Sequence, residues 1–150
     1  MAIRNIIQVG DETLRKKCFE VTEFNEKLWT LLDDMKDTVR KANGAGLAGP
    51  QVGVLRRVFV VDVEEGFFEF VNPVIVSATG KQCGKEGCLS VKGKWGEVTR
   101  PSRVVVRAQD RFGNKFSVTA KDFFARAVCH EYDHLDGILY IDKATSIEDD

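Results

Sequence analysis

Histidine is nearly missing from this 150-residue sequence, which has two, and cysteine and proline are scarce, at four and three. Each scarcity excludes something. Four cysteines (Cys18, Cys83, Cys88 and Cys129) are too few for a disulfide-dense secreted scaffold and suit the reducing environment of a cytoplasmic protein. No apolar run approaches the roughly 18 residues that would cross a bilayer. The first residues, Met1 to Gln8, have neither a long apolar core nor a cleavage site, so no signal peptide is expected. A net charge of −1 leaves no electrostatic footprint for nucleic acid and no polybasic membrane anchor. Repeats, linkers and low-complexity tracts are missing too. What remains is 43% apolar and 30% charged, a balance that gives one globular domain over residues 1–150 with a core of its own.

Periodicity divides the chain. Residues 1–24 read as an extended arm with one solvated turn at Asp11–Lys17. Asn25 can cap a helix running to about Ala42, with Leu28, Leu31, Leu32, Met35, Val39 and Ala42 on one stripe. Asp33, Asp34, Lys36, Asp37, Arg40 and Lys41 fill the other faces. Asn43-Gly44 stops it. Gly44 to Gly53 then holds four glycines and reads as an irregular loop. Its G-x-G-x-x-G is not a dinucleotide fingerprint, because a helix precedes it and Pro50 follows. Glycine there lets backbone approach a ligand closely.

Strands are expected at Val58–Val63, at Phe67–Val71 after a turn at Glu64-Glu65-Gly66, and at Val74–Ser77 once Asn72-Pro73 has broken the second. Lys92 to Gly96 reads as a basic loop carrying Trp95. Ser102 to Arg111 alternates, and Lys115–Thr119 is a last strand. Thr119 can cap a helix that continues through Cys129-His130-Glu131-Tyr132-Asp133-His134 and ends at Gly137. Ile138–Ile141 tucks back, and the acidic tail from Ile147 is expected to fray.

The second helix carries H-E-x-x-H. His130 and His134 lie four residues apart on one face, with Cβ atoms about 5–6 Å apart, close enough to share an ion. A catalytic zinc-type site needs three protein ligands and an open position. No further His exists, and Asp142 is a poor candidate. Cys88, flanked by Gly87 at the end of a strand-like run, is the better third ligand. A thiolate with two imidazoles suits Zn²⁺ or Fe²⁺. Water in the open position would have its pKa drawn toward about 7. Glu131 can take its proton and deliver one to a leaving amine. The Gln51 side-chain amide and the Leu89 backbone N–H are candidate donors to an oxyanion. Two rivals stand beside this: a metallopeptidase using the same helix, and a non-catalytic structural zinc site closed by Cys83, Cys88, His130 and His134.

Three stretches together resemble the peptide deformylase family: Gly44-Ala45-Gly46-Leu47-Ala48-Gly49-Pro50-Gln51, Glu86-Gly87-Cys88-Leu89-Ser90, and His130-Glu131-Tyr132-Asp133-His134-Leu135-Asp136-Gly137. Order and spacing match, so the resemblance spans nearly the whole chain. It implies removal of the formyl group from the N-terminal formyl-methionine of new peptides, with release of formate. It implies an α+β fold, with the motif helix central among antiparallel or mixed sheets and a long N-terminal helix. By the match, Cys88, His130 and His134 hold the metal. Fe²⁺ is the expected ion in the cell, with Zn²⁺, Ni²⁺ or Co²⁺ as substitutes. Glu131 is the general base and acid, and Gln51 and Leu89 stabilise the oxyanion. The Gly46 backbone pairs with the substrate's main chain, and Ala45 and Gly87 lie against the substrate. A monomer meeting its formyl-methionyl peptide near the ribosome is the expectation. Departures from the family pattern are Gly49 for Ala, which is expected to loosen the loop, Ala45 for a larger aliphatic residue, Cys129 for Gln, and Trp95 where Arg is common.

Overall fold

The structure, a computed structural model, describes residues 2–149. Helix α1 spans Glu26–Lys41, and the Asn25 side chain caps it by accepting from the Leu28 N–H. Its inward stripe is Leu28, Leu31, Leu32, Met35 and Val39, all buried. Ala42 ends the helix and is exposed, and Asn43 follows in the left-handed region at φ 56°. Asp34 was expected to face solvent but is buried. The N-terminal arm lies over it: Arg4 Nε and the Ala2 N–H donate to its carboxylate at 2.9 and 2.8 Å. The turn at Glu12–Arg15 is likewise not merely solvated, since Leu14 is buried with Val91, Val98, Leu139 and Tyr140.

Among the described residues, eight strands form two antiparallel sheets. The larger contains β1 (Gly46–Ala48), β2 (Val58–Val63), β3 (Gly66–Thr79), β6 (Arg103–Gln109) and β7 (Lys115–Lys121), in that order. The smaller contains β4 (Gln82–Cys88), β5 (Val91–Arg100) and β8 (Ser146–Asp149). Helix α2 spans Asp122–His134. The apolar run in β2 is continuous because both its faces are covered, with successive side chains pointing opposite ways. Phe59 and Val61 pack in the cluster that holds Phe124, Ala125 and Val128 of α2. Val58 and Val60 pack with the buried stripe of α1. The chain is therefore α+β with antiparallel sheets.

Several boundaries differ from the sequence reading, each for a local reason. The glycine-rich stretch is not wholly irregular: β1 occupies Gly46–Ala48, and a 3-10 turn follows over Gly49–Val52. Asn72-Pro73 bends β3 without ending it. Asn72 takes φ 51°, its side chain bonds Val21 and Gln109, and the register shifts there as β3 leaves β2 for β6. A bulge accommodates a proline that cannot donate to the ladder. Lys92–Gly96 lies within strand β5 and is not a loop: Lys94, Trp95 and Gly96 pair with β8, and Gly96 also pairs with Glu86 of β4. The tail is that third strand, not a frayed end, although Asp150 lies outside the described residues. Thr119 belongs to β7 and caps nothing; α2 starts at Asp122, whose N–H donates to Ser102 O at 2.9 Å. Gly137 does take the left-handed conformation after the helix, at φ 75°.

Candidate metal centre and active site

Helical spacing sets the two imidazoles side by side, with ring centroids 5.2 Å apart. Strand β4 delivers the thiol. Its register shifts between Glu86 and Cys88, and such a bulge re-aims the side chain that follows it. Cys88 Sγ ends 3.5 Å from His134 Nε2, and one donor atom from each of Cys88, His130 and His134 lies within 4.8 Å of the others. With metal–sulfur and metal–nitrogen bonds of about 2.3 and 2.0 Å, a tetrahedral site has a sulfur–nitrogen edge of about 3.5 Å. The donor set thus has the chemistry and the spacing to hold a divalent ion. Cys83 stands apart from this group, exposed, with Sγ 3.1 Å from Glu97 Oε1. Asp142 is engaged by Arg15 and by the Leu139 N–H.

A cavity of about 370 Å³ opens over the cluster. Its lining includes Cys88, His130, Glu131, Gln51, Leu89, Gly46, Ala45 and Gly87, which is every site residue expected from the sequence except His134. His134 is wholly buried beneath. Glu131 is buried beside Gly46, with Oε2 4.0 Å from His130 Nε2 and Oε1 lacking any partner among the described residues. Burial pushes its carboxyl up to about 7, partly offset by His130. Burial also lowers His134. For His130 burial acts in the same direction, but the anionic charge of Glu131, Cys88 and Glu86 outweighs it and holds the ring well above its ordinary value.

Gln51 is fixed from both ends. Its Oε1 accepts from the Ala48 N–H at 2.9 Å, and its Nε2 donates to Ser90 Oγ at 3.0 Å while lying 3.6 Å from Cys88 Sγ. Both N–H groups of that amide are thus engaged, one by Ser90 Oγ and one by Cys88 Sγ at the cavity lining. Gly87 has no side chain because Trp95 lies against it; a Cβ there would sit 3.0 Å from the indole.

Sequence reasoning missed the group beneath His130. Glu86 is buried and accepts from Arg100 at two 2.9 Å contacts, from Arg126 Nη1 at 2.6 Å, and pairs with His130 Nδ1 at 2.9 Å. Burial raises its pKa, but Arg100 and His130 outweigh that and hold the carboxyl well below its usual range. A carboxylate on one ring nitrogen orients the imidazole and leaves Nε2 for a metal. Arg100 also reaches Asp133 at 2.7 Å, which ties α2 to β5. Two spacings pointed this way: Glu86 lies two residues from Cys88 on a strand, and Arg126 lies four residues before His130 on a helix.

The family model described as Polypeptide deformylase matches residues 3–150. The chain belongs to the peptide deformylase family. A peptide deformylase of Caldicellulosiruptor bescii is 59% identical over 143 residues, which cover 95% of this chain and 86% of that protein. One of Acetivibrio thermocellus is 53% identical over 150 residues, covering 100% of this chain and 88% of the relative. The crystal structure of a peptide deformylase from Legionella pneumophila superposes with a TM-score of 0.92 at 43% identity, covering 95% of this chain and 86% of the other. As a member of that family the chain is a metal-dependent hydrolase that removes the N-formyl group from new peptides.

Within the family pattern, Gly49 does not loosen its loop as expected. It is buried, and a Cβ would meet Val54 O at 2.6 Å and Arg56 O at 2.9 Å, so the missing methyl lets backbone pack tightly. Cys129 is a buried apolar neighbour of the site, its thiol pushed up to about 11 chiefly by burial.

Proposed function

We propose that this deformylase holds its metal through Cys88, His130 and His134, and that Glu131, Gln51 and the Leu89 N–H carry out the proton transfer and oxyanion stabilisation. The observation that supports this best is that three soft and borderline donors meet at the floor of one cavity which Glu131 and Gln51 also line. A divalent ion supplies Lewis acidity that makes water a nucleophile near neutral pH. Fe²⁺ is the ion proposed for the cell, and Zn²⁺, Ni²⁺ and Co²⁺ also suit thiolate–imidazole ligation.

Glu131 takes a proton at Oε1, which has no partner among the described residues, and returns one to the amine of the leaving peptide. Burial keeps that carboxylate from water that would compete for the proton. Gln51 Nε2, anchored by Ala48 and Ser90, and the Leu89 N–H donate to the oxygen that gains charge as the formyl carbon becomes tetrahedral. The Gln51 side chain is already held, and it would exchange its 3.6 Å contact with Cys88 Sγ for one to this oxygen. Glu86 fixes the ring of His130 through Nδ1.

The substrate enters as an extended chain. Strand β1 is an edge of the larger sheet and β4 an edge of the smaller, and residues of both line the cavity. Gly46 offers main-chain groups for pairing, while Ala45 and Gly87 lie in the lining against the substrate. In this reading α2 is the central metal-binding helix of a single domain, with the long helix α1 packed behind β2. The enzyme works as a cytoplasmic monomer near the ribosome. Metal-loaded protein should release formate and free amine from a formyl-Met peptide. The Glu131→Gln variant should keep its metal and lose turnover, and full activity in that variant would overturn the general-base role.

A further inference from the structure

The charge around the cavity mouth bears on which peptides are preferred, an inference that rests on the function proposed above. Three exposed charged side chains line the cavity, Lys85 of β4 and Lys92 and Lys94 of β5, and all are cationic. The charged groups deeper in the lining, Glu86, Arg126 and Glu131, are buried, and the first two are paired with each other. A net charge of −1 for the whole chain means that this clustering is local and not a consequence of composition. Lys85 and Lys94 lie 3.4 and 2.7 Å from Glu148 and Asp149 of β8. All four of those side chains are largely exposed, so these are weak, exchangeable pairs. Lys92 makes no ion pair among the described residues.

Because the reacting bond must lie at the cavity floor, the rest of the peptide leaves through the mouth. An extended chain advances about 3.3 Å per residue, so residues downstream of the methionine leave through the rim that these lysines line. We propose that the rim formed by Lys85, Lys92 and Lys94 is a specificity element that favours acidic residues just downstream of the formyl-methionine and disfavours basic ones. Incoming carboxylates exchange with Glu148 and Asp149 on Lys85 and Lys94 and meet Lys92 directly. Contacts of this kind are solvent-exposed, so the preference is modest and dependent on salt.

Metal-loaded enzyme tests this with three C-terminally amidated peptides: formyl-Met-Ala-Glu-Glu, formyl-Met-Ala-Ala-Ala and formyl-Met-Ala-Lys-Lys. At about 0.01 M ionic strength, kcat/KM for the acidic peptide should exceed that for the basic one by about fivefold or more, and the ratio should approach one at about 1 M. Within the K92E/K94E variant the ratio should invert. A low-salt ratio at or below one in the parent enzyme overturns the inference. So does a ratio that neither salt nor charge reversal moves. The alanine peptide separates the two levels of claim. If it is turned over while the charged pair behave alike, only the rim assignment falls. If none of the three is turned over, the proposed function falls and takes this inference with it.

Discussion

Gly46 is the residue at which packing and chemistry are most tightly joined. It sits on edge strand β1, and a Cβ built there would meet Glu131 at three atoms: Oε2 at 2.6 Å, Cγ at 2.7 Å and Cδ at 2.9 Å. Carbon atoms normally approach no closer than about 3.5 Å, so Gly46→Ala needs roughly 1 Å of extra room. Two elements could give way. Strand β1 is held by its pairing to β2 and by the Asp62 N–H donating to Ala45 O at 2.8 Å, and prising it off would cost about 1–3 kcal/mol as overpacking does. The alternative is that Glu131 turns away. Its Oε1 has no partner among the described residues, so the side chain is the softer of the two.

Gly46→Ala should therefore act mainly on catalysis. In the role proposed for Glu131, a general base contributes about 10²–10⁴ in rate, and moving it by 1 Å forfeits much of that. We expect kcat to fall by about 100-fold or more, corresponding to ~3 kcal/mol of barrier. Metal stoichiometry should not change, and stability should fall by no more than about 1–3 kcal/mol. The decisive assay is a cycle of kcat measurements on the parent, Gly46→Ala, Glu131→Gln and the double variant. If the methyl acts by displacing Glu131, adding it to Glu131→Gln costs little further. Two results would refute the reasoning: kcat within about threefold of the parent in Gly46→Ala with unchanged stability, or full additivity in the cycle.

Three further predictions rest on buried groups away from the reacting atoms. Glu86→Gln leaves Arg100 and Arg126 without their shared counter-charge, so chemical unfolding of the metal-free protein should show a loss of about 3–5 kcal/mol. Chelator competition on the same variant should show metal affinity about 10–100-fold weaker, because His130 loses its carboxylate. Gly49→Ala, although it restores the family's common residue, should lower the denaturant midpoint by the equivalent of about 1–3 kcal/mol, since the methyl meets two backbone oxygens. A neutral outcome would mean that the 49–56 segment yields easily. Asp34, buried under the N-terminal arm, has its pKa lowered: burial alone would raise it, but hydrogen bonds from the Ala2 N–H and from Arg4 outweigh that. Folding thus favours its charged form. The stability it contributes is present above the unfolded value of about 3.9 and is lost as pH falls through the lower folded value. Asp34→Asn should cost about 1–2 kcal/mol at pH 7, and the difference from the parent should close below about pH 4. A gap that persists unchanged at pH 3 would assign the effect to shape and not to charge.

The donor cluster was legible because it combines rare residues at fixed spacings. With only two histidines in the chain, helical periodicity alone placed His130 and His134 on one face, and the lack of a third pointed to Cys88. The long apolar stripe of α1 was equally plain. Features that depend on partners remote in sequence were not. Lys92–Gly96 has the composition of a loop and becomes strand only because Ser146–Asp149 supplies a second edge for it, which no local pattern encodes. Asn72-Pro73 reads as a strand break, yet β3 continues because it changes neighbours at that point and Asn72 bonds to both Val21 and Gln109. Asp34 and Glu86 look like solvent-facing acids until the arginines that neutralise them, Arg4 and Arg100, arrive from 30 and 14 residues away. The same logic explains why Gly49 was misjudged as a source of flexibility, and it applies to Gly46 as well. A glycine in a sequence signals freedom of backbone, whereas these two are fixed by what occupies the space of the missing methyl: a carboxylate at one and carbonyl oxygens at the other. In the proposed mechanism the glycine-rich segment is therefore a close-packed support for Glu131 and Gln51, and that packing would hold both in place before a substrate arrives.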